Sequence, residues 1–310
     1  MIRKHNRRAA KAAFAISLGV AILIGVTACG GDDGGTAADD APTIVLGSKN
    51  FPEQFILGEL YRQALEAKGF EVTYKENIGS TELIHTALEN GELNMYPEYT
   101  GVIVQVVHGQ ALSAETADET YELAKELEDE NGLTLLEPTP FFDTDAIAVL
   151  NETAEEFGLE TVGDLKDVPN LTLAGFPEFE TRNTGLVGLR NIYGITDVDF
   201  VPLAGISAYA ALDSGDVLAA AVFSTDPPLG EGSDYTVLED TEHVFGFQNV
   251  APIVTTEVYE QAGDVFEDAV NAVSAKLTNE AIIAMNRAVI VDKQDPAAVA
   301  KTFLEENDLV

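Results

Sequence analysis

The sequence predicts an α/β protein of two similar lobes with a cleft between them, and three observations carry that reading. From Thr43 onwards short apolar runs alternate with stretches of helical period, the signature of largely parallel sheets with crossover helices. The turns from apolar run to helix carry Gly, Ser or Thr. The second half then repeats the alternation and ends in a helical tail. At roughly 150 residues per domain, a chain of 310 residues fits two such units.

Taken in order, Thr43–Leu46 reads as a strand ending at Gly47-Ser48. Pro52 suits the first turn of a helix, and Glu53 adds charge favourable to its N-terminus. Phe55, Ile56, Leu60 and Leu65 recur at helical spacing until Gly69 stops the helix. Phe70–Asn77 alternates as a strand. Gly79-Ser80-Thr81 opens a second helix (Leu83, Ile84, Leu88) that ends near Gly91, and Leu93–Tyr96 is a third strand. A long helix follows over Ala117–Asn131, then strands near Leu133–Pro138 and Ala146–Leu150. The second half runs Leu171–Gly175 strand, Thr184–Tyr193 helix, Phe200–Leu203 strand, Ser207–Ser214 helix, Val217–Phe223 strand. After a strand at Ala251–Val254 come helices at Val258–Gly263, Phe266–Leu277, Asn279–Ile290 and Pro296–Glu306. No repeat of 20–50 residues suggests a solenoid. Ligands in open α/β folds sit at the carboxyl ends of strands and at lobe junctions, which directs attention to the cleft.

Composition narrows the function. Hydrophobic residues make up 46% of the chain, enough for sizeable cores, while 53 acids face 17 bases for a net charge of -36. A surface this acidic repels phosphate backbones and excludes nucleic acid as the main partner. The single cysteine, Cys29, excludes an intramolecular disulfide and a cysteine-based metal site. No G-x-S-x-G, H-E-x-x-H, P-loop or strand-linked G-x-G-x-x-G occurs. His85 and His108 lack nearby metal-ligand partners in the sequence, and His243 falls in a loop. No catalytic residue, metal or cofactor is expected. Pairs of acids carry no information in a chain so rich in them.

The first 28 residues hold five bases (Arg3, Lys4, Arg7, Arg8, Lys11) and no acid, followed by the apolar run Ala12–Val26. That run is too short for a span, which needs about 20 apolar residues, and the layout is that of a secretory signal. Val26-Thr27-Ala28-Cys29-Gly30 resembles a bacterial lipobox, in which Cys29 is lipidated and becomes the first mature residue. Residues 29–42 (CGGDDGGTAADDAP) then read as a flexible tether. The expected location is the extracytoplasmic face of the cell membrane, anchored to it by lipid rather than spanning it.

Three blocks stand out in the folded part. Gly47-Ser48-Lys49-Asn50-Phe51-Pro52-Glu53-Gln54 places a scarce lysine between a strand end and a helix start, where backbone N–H groups and an ammonium form an anion site; a surface lysine at a turn is the alternative. Tyr96-Pro97-Glu98-Tyr99-Thr100-Gly101 places tyrosines at a strand end, where they line a cleft or pack on the core with their hydroxyls at the rim. In Pro177–Gly185, Arg182 offers a fork of donors suited to a carboxylate, or to an ion pair with one of the many acids.

Together these blocks resemble the substrate-binding lipoproteins of ABC importers for glycine betaine, choline, carnitine and related osmoprotectants. The resemblance covers residues 43–310 and rests on GSKNFPEQFILGELYRQALEAKGFEV, IGSTELIHTALENGELNMYPEYTG, PEFETRNTGLVGL, VFSTD and QNVAP in that order. It implies the type II periplasmic-binding-protein fold: two α/β lobes, 43–145 plus 249–310 and 146–248, joined by two crossing strands around a central cleft. The implied partners are a small quaternary-ammonium solute and a permease driven by a separate ATPase, with the receptor a monomer.

A quaternary ammonium has no N–H to donate, so ring faces hold it through cation–π attraction. In such proteins tyrosines form the cage, and Lys, Arg, Thr and backbone N–H groups meet the ligand's carboxylate. This chain keeps Lys49, Tyr99 and Arg182, with Asn50 beside them. Asp145 replaces a cage tyrosine, Phe223 stands where another tyrosine is common, Val102 takes a threonine's place, and Phe247 or Gln248 fills the last cage position. Asp145 favours choline-like or otherwise strongly cationic solutes, while Lys49 and Arg182 keep a zwitterion in play. An amino acid or ergothioneine is the alternative cargo; an enzyme or a sensor on the same scaffold are rivals of another class.

Overall fold

Among the described residues of the computed structural model, every strand falls in one of two five-stranded mixed sheets. The structure describes residues 35–38, 41–110, 114–203, 206–230 and 232–310. Residues 35–310 form one compact unit. Cys29, the signal segment and the start of the tether lie outside the described residues.

The first sheet is built from β1 (Ile44–Lys49), β2 (Val72–Gly79), β3 (Met95–Tyr99) and β4 (Leu133–Leu135). Helices α1 (Pro52–Ala67) and α2 (Thr81–Glu89) connect β1 to β2 and β2 to β3. A short turn α3 (Thr100–Val102) runs into a five-residue π turn, Ile103–Val107, before α4 (Ala117–Asp129). The second sheet holds β5 (Asp145–Leu150), β6 (Leu171–Gly175), β7 (Val198–Pro202), β8 (Ala219–Phe223) and β9 (Tyr235–Leu238), with α5 (Asn151–Phe157), α6 (Leu186–Asn191) and α7 (Ile206–Asp213) between strands. The chain then returns through β10 (Val250–Thr255) to the first sheet and ends in α8 (Thr256–Ser274), α9 (Asn279–Ile290) and α10 (Pro296–Glu306).

The strand orders are β2-β1-β3-β10-β4 and β7-β6-β8-β5-β9. The expectation of largely parallel sheets holds for four of the five strands in each sheet, which point the same way; the exception, β10 or β5, is antiparallel to both its neighbours. Apolar runs buried on both faces read alike in either direction, so their text does not encode strand polarity.

Each sheet is covered on both faces. In β5, Ile147 and Val149 join one core with Leu165, Leu173 and Leu186, while Ala146 and Ala148 point into a second with Ala208, Tyr209 and Leu212. That is the period-2 alternation of a strand. In the first sheet, Ile44 and Leu46 pack with Ile56, Leu60, Phe266 and Val270, whereas Tyr96, Ala251 and Ile253 face Ile84, Val104 and Ala124.

Three departures from the sequence-based boundaries have local causes. β3 begins at Met95 rather than Leu93 because the Asn94 side chain takes the pairing position: it accepts from Val45 N (2.8 Å) and donates to Thr43 O (3.0 Å). α8 runs through both tail helices with a break at Gly263, whose φ of 68° no ordinary helical residue adopts. The tether, read as flexible over 29–42, touches the fold: Ala37 N–H donates to the Lys68 carbonyl (2.7 Å), an unsatisfied oxygen at the end of α1, and Ala37 and Ala41 lie against the core.

Two segments cross between the sheets, one between β4 and β5 and one between β9 and β10. They run antiparallel to each other: Phe142 bridges Asn249, and Asp143 N–H donates to Gln248 O (3.1 Å). Among the described residues no helix is long and apolar enough to cross a membrane.

Candidate ligand-binding site between the two sheets

The carboxyl ends of β1, β3, β6 and β8 converge on one cavity of about 510 Å³. In each sheet one strand, β1 or β6, has its two successors on opposite sides, and the crevice at such a switch point is where open α/β sheets bind ligands. Lys49 to Glu53 follow β1, Tyr99 and Val102 close β3, Phe176 to Arg182 follow β6, and Phe223 to Pro228 follow β8; α9 adds Asn286 and Lys293. Lys49, Asn50, Tyr99, Asp145, Arg182, Phe223 and Gln248 all line this space, as does Val102.

Aromatic rings form a row across the cavity. Tyr99 stacks on Phe51 (6.3 Å between centroids), Phe51 on Phe223 (5.4 Å) and Phe223 on Phe176 (5.9 Å), with interplanar angles of 23°, 17° and 13°. Phe51 and Tyr99 come from the first sheet's side and Phe176 and Phe223 from the second, so the row spans the junction. Cations cap both ends: Lys49 Nζ lies 4.3 Å from the Tyr99 centroid and the Arg182 guanidinium 5.5 Å from that of Phe176. Phe51 and Phe176 were not singled out from sequence. Both sit just past a strand end, the position already judged informative for Lys49.

Neither Lys49 nor Arg182 is an uncommitted anion receptor. Lys49, 4% exposed, donates to Glu98 Oε1 (2.5 Å), itself fully buried, and to Thr81 Oγ1 (3.3 Å). Burial pushes its ammonium pKa down, against the pull of Glu98. Arg182 holds Glu82 of α2 through Nε (3.2 Å) and Nη2 (3.1 Å to each oxygen), an ion pair joining the two sheets' sides. The ion-pair alternative for Arg182 is therefore the geometry observed.

Acids dominate the remaining wall. Glu53 accepts from Tyr99 Oη (2.8 Å), Thr225 Oγ1 (2.6 Å) and Asn286 Nδ2 (2.8 Å). Asp143 accepts from Ser224 Oγ (3.2 Å) and Thr225 N (3.1 Å), and Asp226 from Tyr209 Oη (3.0 Å) and Phe223 N (3.1 Å). Burial raises the pKa of all three. Asp145 pairs across the ladder with Phe223, and burial raises its pKa to about 6 despite the opposing pull of Arg182 and Lys49. Of these acids the sequence analysis placed only Asp145 at the ligand; Glu53, Asp143 and Asp226 do not stand out in a chain with 53 acids, and only the fold shows that they are buried together.

Phe247 requires correction. It does not line the cavity; its ring stacks on His243 (5.7 Å). Its carbonyl instead accepts from Gly101 N (2.9 Å), at a spot where a Cβ on Gly101 would lie 2.6 Å from that oxygen. The close backbone approach turns the ring away and leaves Gln248 at the wall. Gln248 spends its amide within the fold, accepting from Val102 N (3.0 Å) and donating to Phe245 O (2.7 Å).

Residues 42–306 match the family described as OpuAC, the substrate binding domain of an ABC-type glycine betaine transport system. The chain belongs to this family. The family is a class of solute-binding proteins, not enzymes. Relatives include a glycine-betaine-binding protein of Pseudomonas aeruginosa, 33% identical over 87% of this chain and 89% of its own. A second is the glycine betaine-binding protein YehZ of Escherichia coli, 30% identical over 86% and 91%. The crystal structure of a glycine betaine/carnitine/choline ABC transporter protein shares the fold with a TM-score of 0.69 at 24% identity, over 86% of this chain and 99% of that one. The fold of two α/β units around a cleft is therefore that of the periplasmic binding proteins.

Proposed function

We propose that this protein is a lipid-anchored receptor on the extracytoplasmic face of the cell membrane that captures a small quaternary-ammonium solute and delivers it to an ABC permease. The observation that carries the reading is the row of four rings crossing a cavity in which five acids (Glu53, Asp143, Asp145, Glu178, Asp226) meet three bases (Lys49, Arg182, Lys293). Ring faces attract a cation that donates no hydrogen bond, and the surplus of acids gives that cation a favourable field.

Phe51 and Phe223 are 5.4 Å apart, too close for a trimethylammonium group to enter between their faces, since each methyl needs roughly 3.5–4 Å from a ring carbon. Residues 43–145 plus 249–310 and residues 146–248 move as lobes about the crossing segments, so Phe51 and Phe223 part on opening and close on the guest. A ligand touching both lobes only in the closed form shifts the population towards it. Cys29 carries the lipid. Titration calorimetry against glycine betaine, choline, carnitine, proline betaine and ergothioneine tests the cargo; no binding across the set rejects it. Retention of a Cys29→Ala variant at the membrane would reject the anchor.

Asp145 gives the site a pH dependence of definite sign. Its carboxyl has a pKa of about 6 in the cavity, between the opposing charges of Lys49 and Arg182, and a bound cation favours the ionised form. Affinity for a cation therefore rises with pH through that range and levels off above it. We expect binding roughly tenfold weaker at pH 5 than at pH 7.5, about one pKa unit's worth of interaction, and a shallower profile for Asp145→Asn, in which only the other cavity acids, Glu53, Asp143 and Asp226, remain to titrate. Equal slopes in the two proteins would remove Asp145 from the site.

A further inference from the structure

The first lobe buries a second titratable cluster, on the face of its sheet opposite α1 and outside the ligand cavity. α4 turns Tyr121, Ala124 and Glu128 inward, the first two among Ile84, Leu88 and Ile103. Glu128 is fully buried; its Oε1 meets His108 Nε2 at 3.1 Å, and its Oε2 has no hydrogen-bond partner among the described residues. No lysine or arginine lies within ion-pair distance of it among those residues. α2 contributes His85 and Glu89, and β3 contributes Tyr96 and Glu98. His85 Nδ1 bonds the Tyr96 hydroxyl (3.0 Å), its ring lies 6.5 Å from that of His108, and its Nε2 is 4.0 Å from Glu89 Oε1. The π turn, α3 and β4 bring no titratable side chain to the cluster.

A carboxylate at Glu128 would hold its charge in an apolar core with one oxygen unsolvated, which is costly. A carboxylic acid donating from Oε1 to a neutral imidazole makes the same hydrogen bond without a buried charge. Burial raises the Glu128 pKa to about 7 against the pull of His85, with Glu98 and Glu89 adding to the rise, and burial lowers that of His108 against Glu89 and Glu130. His108 ends the π turn Ile103–Val107, a local geometry frequent at functional sites. That turn continues the segment from which Tyr99 and Val102 face the cavity, and its Gln105 donates to the Val244 carbonyl of the second lobe (3.4 Å).

We propose that Glu128 and His108 form a proton-operated clasp: with the acid protonated the π turn is held against α4, and when the proton leaves for solvent through the imidazole the turn loosens, together with the cavity segment and the interlobe contact it carries. The side chain of His108 is 17% exposed and gives the proton its way out. The folded turn binds this proton more tightly than a detached one, so the clasp is fully closed below the ordinary glutamate range and is released progressively as pH rises to about 7. His108 acts in the opposite sense, because its lowered value costs the folded form stability as pH falls below the ordinary imidazole range.

Amide hydrogen exchange of residues 103–108, corrected for the intrinsic rate at each pH, tests the clasp in the full chain. Glu128→Gln keeps the shape and a donor facing His108 but has no proton to lose. The ratio of its protection to that of the parent should rise roughly tenfold between pH 5 and pH 7.5, about one pKa unit's worth of interaction, and level off above; His108 contributes to both proteins and cancels. Asp145→Asn, which removes a carboxyl of the cavity, should track the parent. A carbon-13 titration of the Glu128 carboxyl in the parent, which requires no variant to fold, should give a midpoint of about 6 or above. A lower midpoint, or a protection ratio independent of pH, would overturn the clasp. Neither measurement uses a solute, so the result stands apart from the identity of the cargo.

Discussion

Lys49→Met is expected to lower the free energy of unfolding by about 3–5 kcal/mol, the usual cost of removing one partner from a buried ion pair. The loss comes less from the missing attraction than from what stays behind. Glu98 is fully buried, and besides Lys49 its carboxylate accepts, among the described residues, from Thr81 Oγ1 (3.3 Å) and the Tyr99 backbone N–H (2.7 Å). Without the ammonium, an uncompensated charge remains between β3 and α2. A Lys49→Met/Glu98→Gln double variant removes both charges and should recover most of the loss. Urea unfolding at pH 7.5 measures both. A single-variant loss below about 1 kcal/mol, typical of an exposed pair, would mean that the two groups are hydrated and that Lys49 is available to a ligand anion.

Much of the architecture was legible because its signals are local. Pro296 and Glu306 bound a helix as expected, and Pro52 starts α1 where its fixed φ suits a first turn. α5 (NETAEEF) buries only Ala154 and so has no stripe to read, and β9 is four residues long. The ligand wall was half legible for a physical reason. Strand-end positions announce themselves by turn chemistry, which found Lys49, Tyr99 and Arg182, while Phe223 and Asp145 came from the family resemblance. Whether a side chain there faces the cavity or a neighbouring charge depends on residues far along the chain. Glu82 and Arg182 are 100 positions apart, and no spacing rule connects them. Phe247 and Gln248 show the same limit at adjacent positions: one close backbone contact at Gly101 decides which of the two faces the ligand space.

Glu53→Leu should destabilise the protein by about 3 kcal/mol and shift it towards an open form. Three buried donors, Tyr99 Oη, Thr225 Oγ1 and Asn286 Nδ2, converge on this carboxylate. Each costs roughly 1–3 kcal/mol when left unpaired, though the two hydroxyls can turn to other acceptors and reduce the total. Glu53 also joins parts of the fold that the crossing segments leave separate: α1 beside the first sheet, Thr225 beyond the end of β8 in the second, and α9. Its loss should therefore raise the radius of gyration in small-angle scattering as well as lower stability. Glu53→Gln separates charge from connection, since it keeps one acceptor oxygen. Burial raises the Glu53 pKa, so the folded state holds its proton more tightly than the unfolded chain. The associated stability is present below the ordinary glutamate range and is lost as pH rises through the higher folded-state value. The Gln variant should lack that component of the pH dependence and stay closed. A Leu variant as compact and stable as the parent would show that the two sheets are held together by the stacked rings and the Glu82–Arg182 pair, without Glu53.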